Sequence, residues 1–322
     1  MRPIGFAAVA KFLLPALLFT APATFASEDI PDQYPQSLLY AKPVEIIPGV
    51  WSAIGATAPP GYENSGHNNN LSFIVTGDGV VVINGSAAYL LAKALHDEIK
   101  VVTDQPVKLV VNENGQGHAM LGNSYWAEIG VPILAHVEAA EEFDDRSAQI
   151  LATMQRYNKE KADKTTLQGP SETFEDEKLI EMGRFKIEIR NLGPAHSPGD
   201  IAVWLPEQKL VIAGDMAFHE RMLPIFDDTD TAAWLESWEN FEALGAHYVI
   251  PGHGHPTNMD QVRRYTKDYL VYLRGKIQEH LDNGGELDKA YYVDQSPYAH
   301  LDTYEQLATR NAGRVFEQME FE

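Results

Sequence analysis

The feature that narrows the fold most is an alternation: short apolar runs rich in Val and Ile recur between segments of helical spacing. Residues 71–76 and 80–84 are two such runs around Gly77-Asp78-Gly79, the pattern of a β-hairpin. A strand over 49–54 precedes them, after an extended lead-in over 27–44 that is rich in Pro and charge. Leu90, Leu91, Leu95 and Ile99 then repeat at helical spacing and predict a helix over 87–100. A strand over 107–112, a helix over 119–129, a strand over 132–136 and a charged helix over 138–161 follow. The second half repeats the theme, with strands at 185–190, 201–205 and 209–213. A helix at 231–244 carries Trp234, Trp238 and Phe241 on one face, and a last strand runs over 247–250. Two helices, 261–281 and 303–319, complete the pattern. Strands alternating with helices imply an α/β layer arrangement.

Charge and composition exclude several classes of function. With 46 Asp plus Glu against 25 Lys plus Arg, the formal net charge of the 322-residue chain is -21. Such a balance repels phosphate backbones, so nucleic acid is not an expected partner. There are no cysteines. Disulfides, thiolate ligands and thiol nucleophiles are therefore excluded, and any metal must rest on His, Asp, Glu, amide oxygen or water. Residues 1–26 combine Arg2 and Lys11, a short apolar stretch over 12–19 broken by Pro15, and small residues up to Ala23 and Ala26. That is a signal-peptide pattern, too short to span a bilayer. The expectation is a protein exported to the periplasm, with no membrane span in the mature chain.

Four loops after strands collect the polar chemistry. They are 112–123, with Asn114, Gln116 and His118; 193–200, with His196; 213–215, with Asp215; and 251–255, with His253 between two glycines. A histidine beside glycine is by itself an ordinary turn residue. The ordered set is more specific, because zinc chemistry needs several N and O donors converging from separate loops.

In this order of elements and loops, residues 45–260 resemble the metallo-β-lactamase superfamily. The resemblance implies a four-layer αββα sandwich, with the C-terminal helices of 261–322 packed on it as an extension. In that family the first loop reads N-T-H-x-H-x-D-H-x-x-G-N. The present loop aligns without a gap on Asn112 at its start and Gly122-Asn123 at its end. His196, Asp215 and His253 fall on the later motif positions. The departures lie in the first loop: the two leading His positions hold Asn114 and Gln116, the Asp position holds His118, and the last His position holds Ala119. Upstream, the Asp that supports the family's histidines is replaced by Asn84, which reads as a consequence of their loss. Amide oxygens are weak zinc ligands, so the family's first metal site is not expected to form. The resemblance leaves His118, Asp215 and His253 as ligands for one zinc ion, with His196 as a fourth ligand or a proton acceptor.

Each residue also has a plainer reading. His118 is a ligand or a loop histidine on a backbone carbonyl, and Asp215 is a ligand or a cap. His255 and His219 either join the site or face solvent. Asn114, Gln116 and His67 are candidates for a substrate pocket, and the polar loop around His67 is equally a surface turn. Two functions stay open. One is an exported hydrolase with a remodelled mononuclear zinc site, acting on an ester, lactone, amide or phosphoester. The other is a catalytically inactive relative, without metal, that binds a small molecule or a periplasmic partner. Hydrolysis of β-lactams themselves is a third and more remote reading, since the fold hosts many chemistries.

Overall fold

The computed structural model describes residues 34–322. The segment over 1–26, expected to be a signal peptide, lies outside them. Strands β1 (Val44–Ile47), β2 (Val50–Ala53), β3 (Leu71–Val75) and β4 (Val80–Ile83) form an antiparallel meander. The expected hairpin is β3 with β4, paired from Ser72 opposite Ile83 to Val75 opposite Val80. Helix α1 (Tyr89–Val102) then crosses to β5 (Val107–Val111), which pairs parallel to β4. Helices α2 (Gly117–Met120) and α3 (Asn123–Glu128) lead to β6 (Ile133–His136), and α4 (Val137–Asn158) leads to β7 (Glu172–Phe174). Both strands add in parallel, giving a seven-stranded sheet in chain order.

A second sheet has five strands: β8 (Glu177–Met182), β9 (Phe185–Arg190), β10 (Ala202–Leu205), β11 (Leu210–Phe218) and β12 (Tyr248–His253). The first four are antiparallel neighbours and β12 joins β11 in parallel. The parallel crossover is α5 (Thr231–Ala243), whose first turn is capped by the Asp230 carboxylate on the Ala232 and Ala233 N–H groups. Helices α6 (Met259–Tyr265), α7 (Lys267–Asp282), α8 (Leu287–Ala290) and α9 (Tyr304–Met319) follow.

Three apolar cores define the layers. Val50, Ile74, Val81 and Leu134 of the first sheet meet Ile187, Val203, Leu210 and Ile250 of the second, which sets the sheets face to face. Leu91, Leu95 and Phe143 cover the outer face of the first sheet. Trp234, Trp238 and Phe241 of α5, with Leu273 and Ile277 of α7 and Val315 of α9, cover that of the second. The result is the four-layer αββα sandwich, and the C-terminal helices share the second outer core.

The structure alters several expected boundaries for identifiable reasons. The helix expected over 119–129 is two helices, because the Gly122 N–H leaves the helical ladder to donate to the Ser86 carbonyl. The helix over 261–281 breaks at Thr266, whose hydroxyl oxygen accepts the Phe218 N–H at the end of β11. β11 and β12 extend past their expected ends, through Asp215 and up to His253, because an irregular register at Gly214 keeps them paired. Strands β7 and β8 were not foreseen. Their charged, outward-facing residues hide the period-two signal that burial on one face would give.

Phe241 is fully buried, so Phe241→Ala should cost about 3–5 kcal/mol of unfolding free energy in urea. Leu179→Ala, on exposed β8, should cost within about 0.5 kcal/mol. Equal losses in the two variants would contradict this assignment of the core.

Candidate metal centre

The loop ends of β5, β9, β11 and β12 meet at one rim of the sandwich, joined by backbone and amide bonds between the sheets. The Ile201 N–H donates to the Glu113 carbonyl, and the Asn70 side chain donates to the carbonyls of Pro251 and Gly254. Helix α4 lies close over this rim. A Cβ at Gly199 would stand 2.3 Å from the Ala139 nitrogen, so only glycine permits that approach.

Asp215 is the hub. It is 1% exposed, and its Oδ1 lies 3.3 Å from His253 Nε2. Its Oδ2 lies 3.6 Å from His118 Nε2 and 3.5 Å from His196 Nδ1. Burial acts to raise the Asp215 carboxyl, but the imidazoles of His253 and His118 reverse it and hold it well below the usual carboxylate range. The donor atoms of His118, Asp215 and His253 all lie within 4.8 Å of one another, the one such group among the described residues.

The orientation of His253 decides what this group is suited to. Its Nδ1 is 2.5 Å from the Asn68 carbonyl, a contact that requires the ring proton on Nδ1. Nε2 then carries a lone pair, and burial keeps the ring neutral by lowering its pKa to about 4. That lone pair faces Asp215 Oδ1, which has no hydrogen-bond donor among the described residues. Two buried acceptors turned toward each other repel unless a cation lies between them. The Arg221 guanidinium, 3.3 Å from His253 Nδ1, approaches the other side of the ring. The residues present therefore fit a divalent metal on the His118, Asp215 and His253 side.

His118 meets a second carboxylate. Its Nε2 lies 3.1 Å from Glu113 Oε1. Burial works against a charged His118 ring, and the charges of Asp215, Glu113 and Glu142 outweigh it and raise its pKa. His196 stands beside the triad. Its Nδ1 is 2.8 Å from Gln116 Nε2, while its Nε2 is buried without a partner among the described residues, against a wall of Phe218, Phe226 and Trp234. Burial holds His196 neutral, with a pKa lowered to about 4.

Other candidates take different places. Asn114 is fully buried, and its amide donates to Asp200 Oδ1 and Asp215 Oδ2 while its oxygen accepts the Gln116 N–H. Both of its amide hydrogens are therefore held inside the protein, by two buried carboxylates. The expected place of His67 in a substrate pocket is corrected: it is completely buried and its Nδ1 accepts the Tyr40 N–H, anchoring the lead-in segment. Gln116 is partly exposed. His255 is exposed and paired with Glu220, and His219 bonds to the His255 carbonyl, so neither joins the triad. Asn84 is not a mere consequence of lost histidines, since its Oδ1 accepts the Glu113 N–H at 3.0 Å.

Sequence reasoning missed Glu113, Asp200 and Arg221. Glu113 carried a signal: it occupies the Thr position of the resembled motif, in a loop whose Asp has gone. Asp200 ends the loop that bears His196 and is buried against Asn114; burial and then the charge of Asp215 push its pKa well up. Arg221 gave no signal, because only the folded chain brings it to His253.

Comparison with known proteins agrees with the geometry. The model of the metallo-β-lactamase superfamily matches residues 118–253. A curated relative, the type 2 metallo-β-lactamase of Bacteroides fragilis, is 26% identical over 193 residues, covering 56% of this chain and 70% of the relative. Among solved structures, a metallo-β-lactamase from Pontibacter korlensis superposes with a TM-score of 0.56 at 20% identity, covering 68% of this chain and 94% of that one. One from Erythrobacter litoralis superposes with a TM-score of 0.53 at 17% identity, covering 69% and 93%. At these identities the two structures speak for the fold alone.

The buried histidines give a pH prediction. Burial lowers the pKa of His67 to about 4, against about 6.5 in an unfolded chain. The unfolded state takes up the proton first, so this histidine costs stability as the pH falls from 6.5 to 4. The raised carboxylates of Glu113 and Asp200 act in the opposite sense, so the test is a difference. The urea midpoint of His67→Gln should fall less steeply over that window than that of the parent. Identical pH profiles would contradict the assignment.

Proposed function

The chain belongs to the metallo-β-lactamase superfamily, and we propose that it is a hydrolase with one zinc ion held by His118, Asp215 and His253. The observation that carries this is the facing pair of buried acceptors, His253 Nε2 and Asp215 Oδ1, 3.3 Å apart. Two imidazoles and a carboxylate are a common catalytic zinc set. Bound there, zinc supplies water activation at neutral pH and polarisation of an acyl or phosphoryl oxygen. The substrate class is an ester, lactone, amide or phosphoester.

The chain's own residues have distinct parts in this reading. Asp215 carries its negative charge beside the Asn114 amide and the His118 ring, whose pKa is raised. The Asn68 carbonyl holds His253 in the tautomer that turns Nε2 inward. His196 handles the proton: it is neutral, and its Nδ1 is the nitrogen turned toward Asp215 and Gln116. Gln116, partly exposed, presents its amide to substrate. Asn114 ties Asp215 to Asp200. Phe218, Phe226 and Trp234 keep water from the far side of His196.

We further propose that the protein works in the periplasm, on the evidence of residues 1–26. No helix among the described residues is long and apolar enough to cross a membrane. One observation favours the second reading, a binding protein without catalysis. His118 Nε2 lies between Glu113 and Asp215, so a protonated ring can neutralise these carboxylates without metal.

The test is hydrolysis of a panel of nitrophenyl esters, phosphoesters and lactones, with and without chelator. The parent should lose activity to the chelator and regain it with zinc. His253→Ala and His118→Ala should each lose stoichiometric zinc and on the order of 100-fold or more in rate. Full zinc occupancy in both variants would refute the assigned ligands.

A further inference from the structure

Residues 219–230, between β11 and α5, lie outside every helix and strand of the two sheets, yet they wall one side of His196. The Phe226 ring stands 5.0 Å from the His196 ring. The Thr229 hydroxyl donates to the His196 carbonyl at 2.7 Å and accepts the Phe226 N–H at 3.0 Å. Most of this segment is buried, and buried backbone groups outside a helix or sheet need partners from elsewhere in the chain.

The C-terminal residues 302–318 supply many of them. The Asp302 N–H donates to the Glu220 carbonyl, and the Asp302 carbonyl accepts the Met222 N–H. The Thr303 hydroxyl donates to the Met222 carbonyl. Asn311, in the middle of α9, accepts the Ile225 N–H through Oδ1 at 2.9 Å and donates to the Leu223 carbonyl through Nδ2 at 2.8 Å. Gln318 donates to the Thr229 carbonyl through Nε2 at 2.5 Å, and its Oε1 accepts the Thr231 hydroxyl at 2.7 Å. The Arg310 guanidinium lies over the Phe226 ring, 5.5 Å from its centre.

We propose that Asn311 and Gln318 are positioning residues for His196, acting through the segment that carries Phe226 and Thr229. The C-terminal helix is then a working part of the metal centre as well as a cover for the second sheet. This inference rests on the proton-handling part given to His196 above and goes beyond it.

The chemistry of position 311 points the same way. Asn311 is fully buried, on a face shared with Leu307, Ala308, Val315 and Phe316. An amide there costs stability unless its bonds are made, and a leucine would carry no such demand. Asn311 meets the demand through the 223–225 backbone and through the Tyr269 hydroxyl, 3.0 Å from its Nδ2. That hydroxyl donates in turn to Gln295 Oε1 at 2.9 Å, and Gln295 Nε2 donates to the Ala308 carbonyl at 2.7 Å. A polar network satisfied in this way fixes the orientation of its members. With 223–225 clamped by Asn311 and 229–231 by Gln318, Phe226 and Thr229 are held between two fixed points.

The experiment follows the His196 ring by proton–carbon NMR in histidine-labelled protein, its signal assigned by its loss in His196→Gln. Phe226→Leu gives the position of that signal without the neighbouring ring. Asn311→Leu and Gln318→Met remove the bonds at nearly constant volume, and circular dichroism checks the fold. In both, the His196 signal should move toward its position in Phe226→Leu, while those of His96 on α1 and His136 on β6 stay in place. Nitrophenyl ester hydrolysis should fall on the order of 10- to 100-fold in kcat, with the zinc content of the parent. Gln318 is only partly buried, so Gln318→Met carries the test if Asn311→Leu does not fold. An unmoved His196 signal in the folded variants would overturn the proposal. So would a moved signal with a parent-like rate, or a loss of zinc together with the rate. If the parent itself hydrolyses nothing, the His196 signal still decides the positioning, and the hydrolase reading falls alone.

Discussion

A carboxylate buried among imidazoles governs this molecule. Asp215 has almost no contact with water, yet its surroundings keep it ionised. An uncompensated charge in such a place would cost several kcal/mol, so the structure around it is arranged to supply compensation. The Asn114 amide donates to Asp215 and the His118 ring, whose pKa is raised, stands beside it, while the neutral rings of His196 and His253 turn toward it from two further loops. The irregular pairing of β11 and β12 at Gly214 brings Asp215 and His253 to the same rim.

The first loop departs from the family motif while the frame around it persists. Where the family motif places a histidine, Asn114 links Asp200 to Asp215 through its amide hydrogens. Where the motif places an aspartate, His118 contributes an imidazole. A new carboxylate, Glu113, stands against it. Asn84 follows the same logic, because it binds the Glu113 peptide rather than supporting an imidazole. These exchanges keep the site buried, polar and filled with donors.

Much of the fold was legible because its signals are local. The hairpin of β3 and β4, the helical spacing of α1 and the aromatic face of α5 each follow from residues close in sequence. The edge strands β7 and β8 were not legible, since charged residues on an exposed edge carry no burial pattern. His118, Asp215 and His253 stood out because each lies beside a glycine, after an apolar run. Their assembly into one triangle needed the folded chain. Glu113, Asp200 and Arg221 were missed because their meaning depends on burial and on partners remote in sequence. Asn114 and His67 were placed at a pocket because a polar loop residue reads as accessible, and only packing shows that both are interior.

The most direct test of this account is the metal content of the mature protein, purified without added metal and measured by plasma mass spectrometry. The account predicts about one zinc per chain, retained through dialysis. No stoichiometric metal, even after zinc is supplied in excess, would contradict it. The cleft would then be a binding site whose buried carboxylates are neutralised by a protonated His118 instead of by a metal ion.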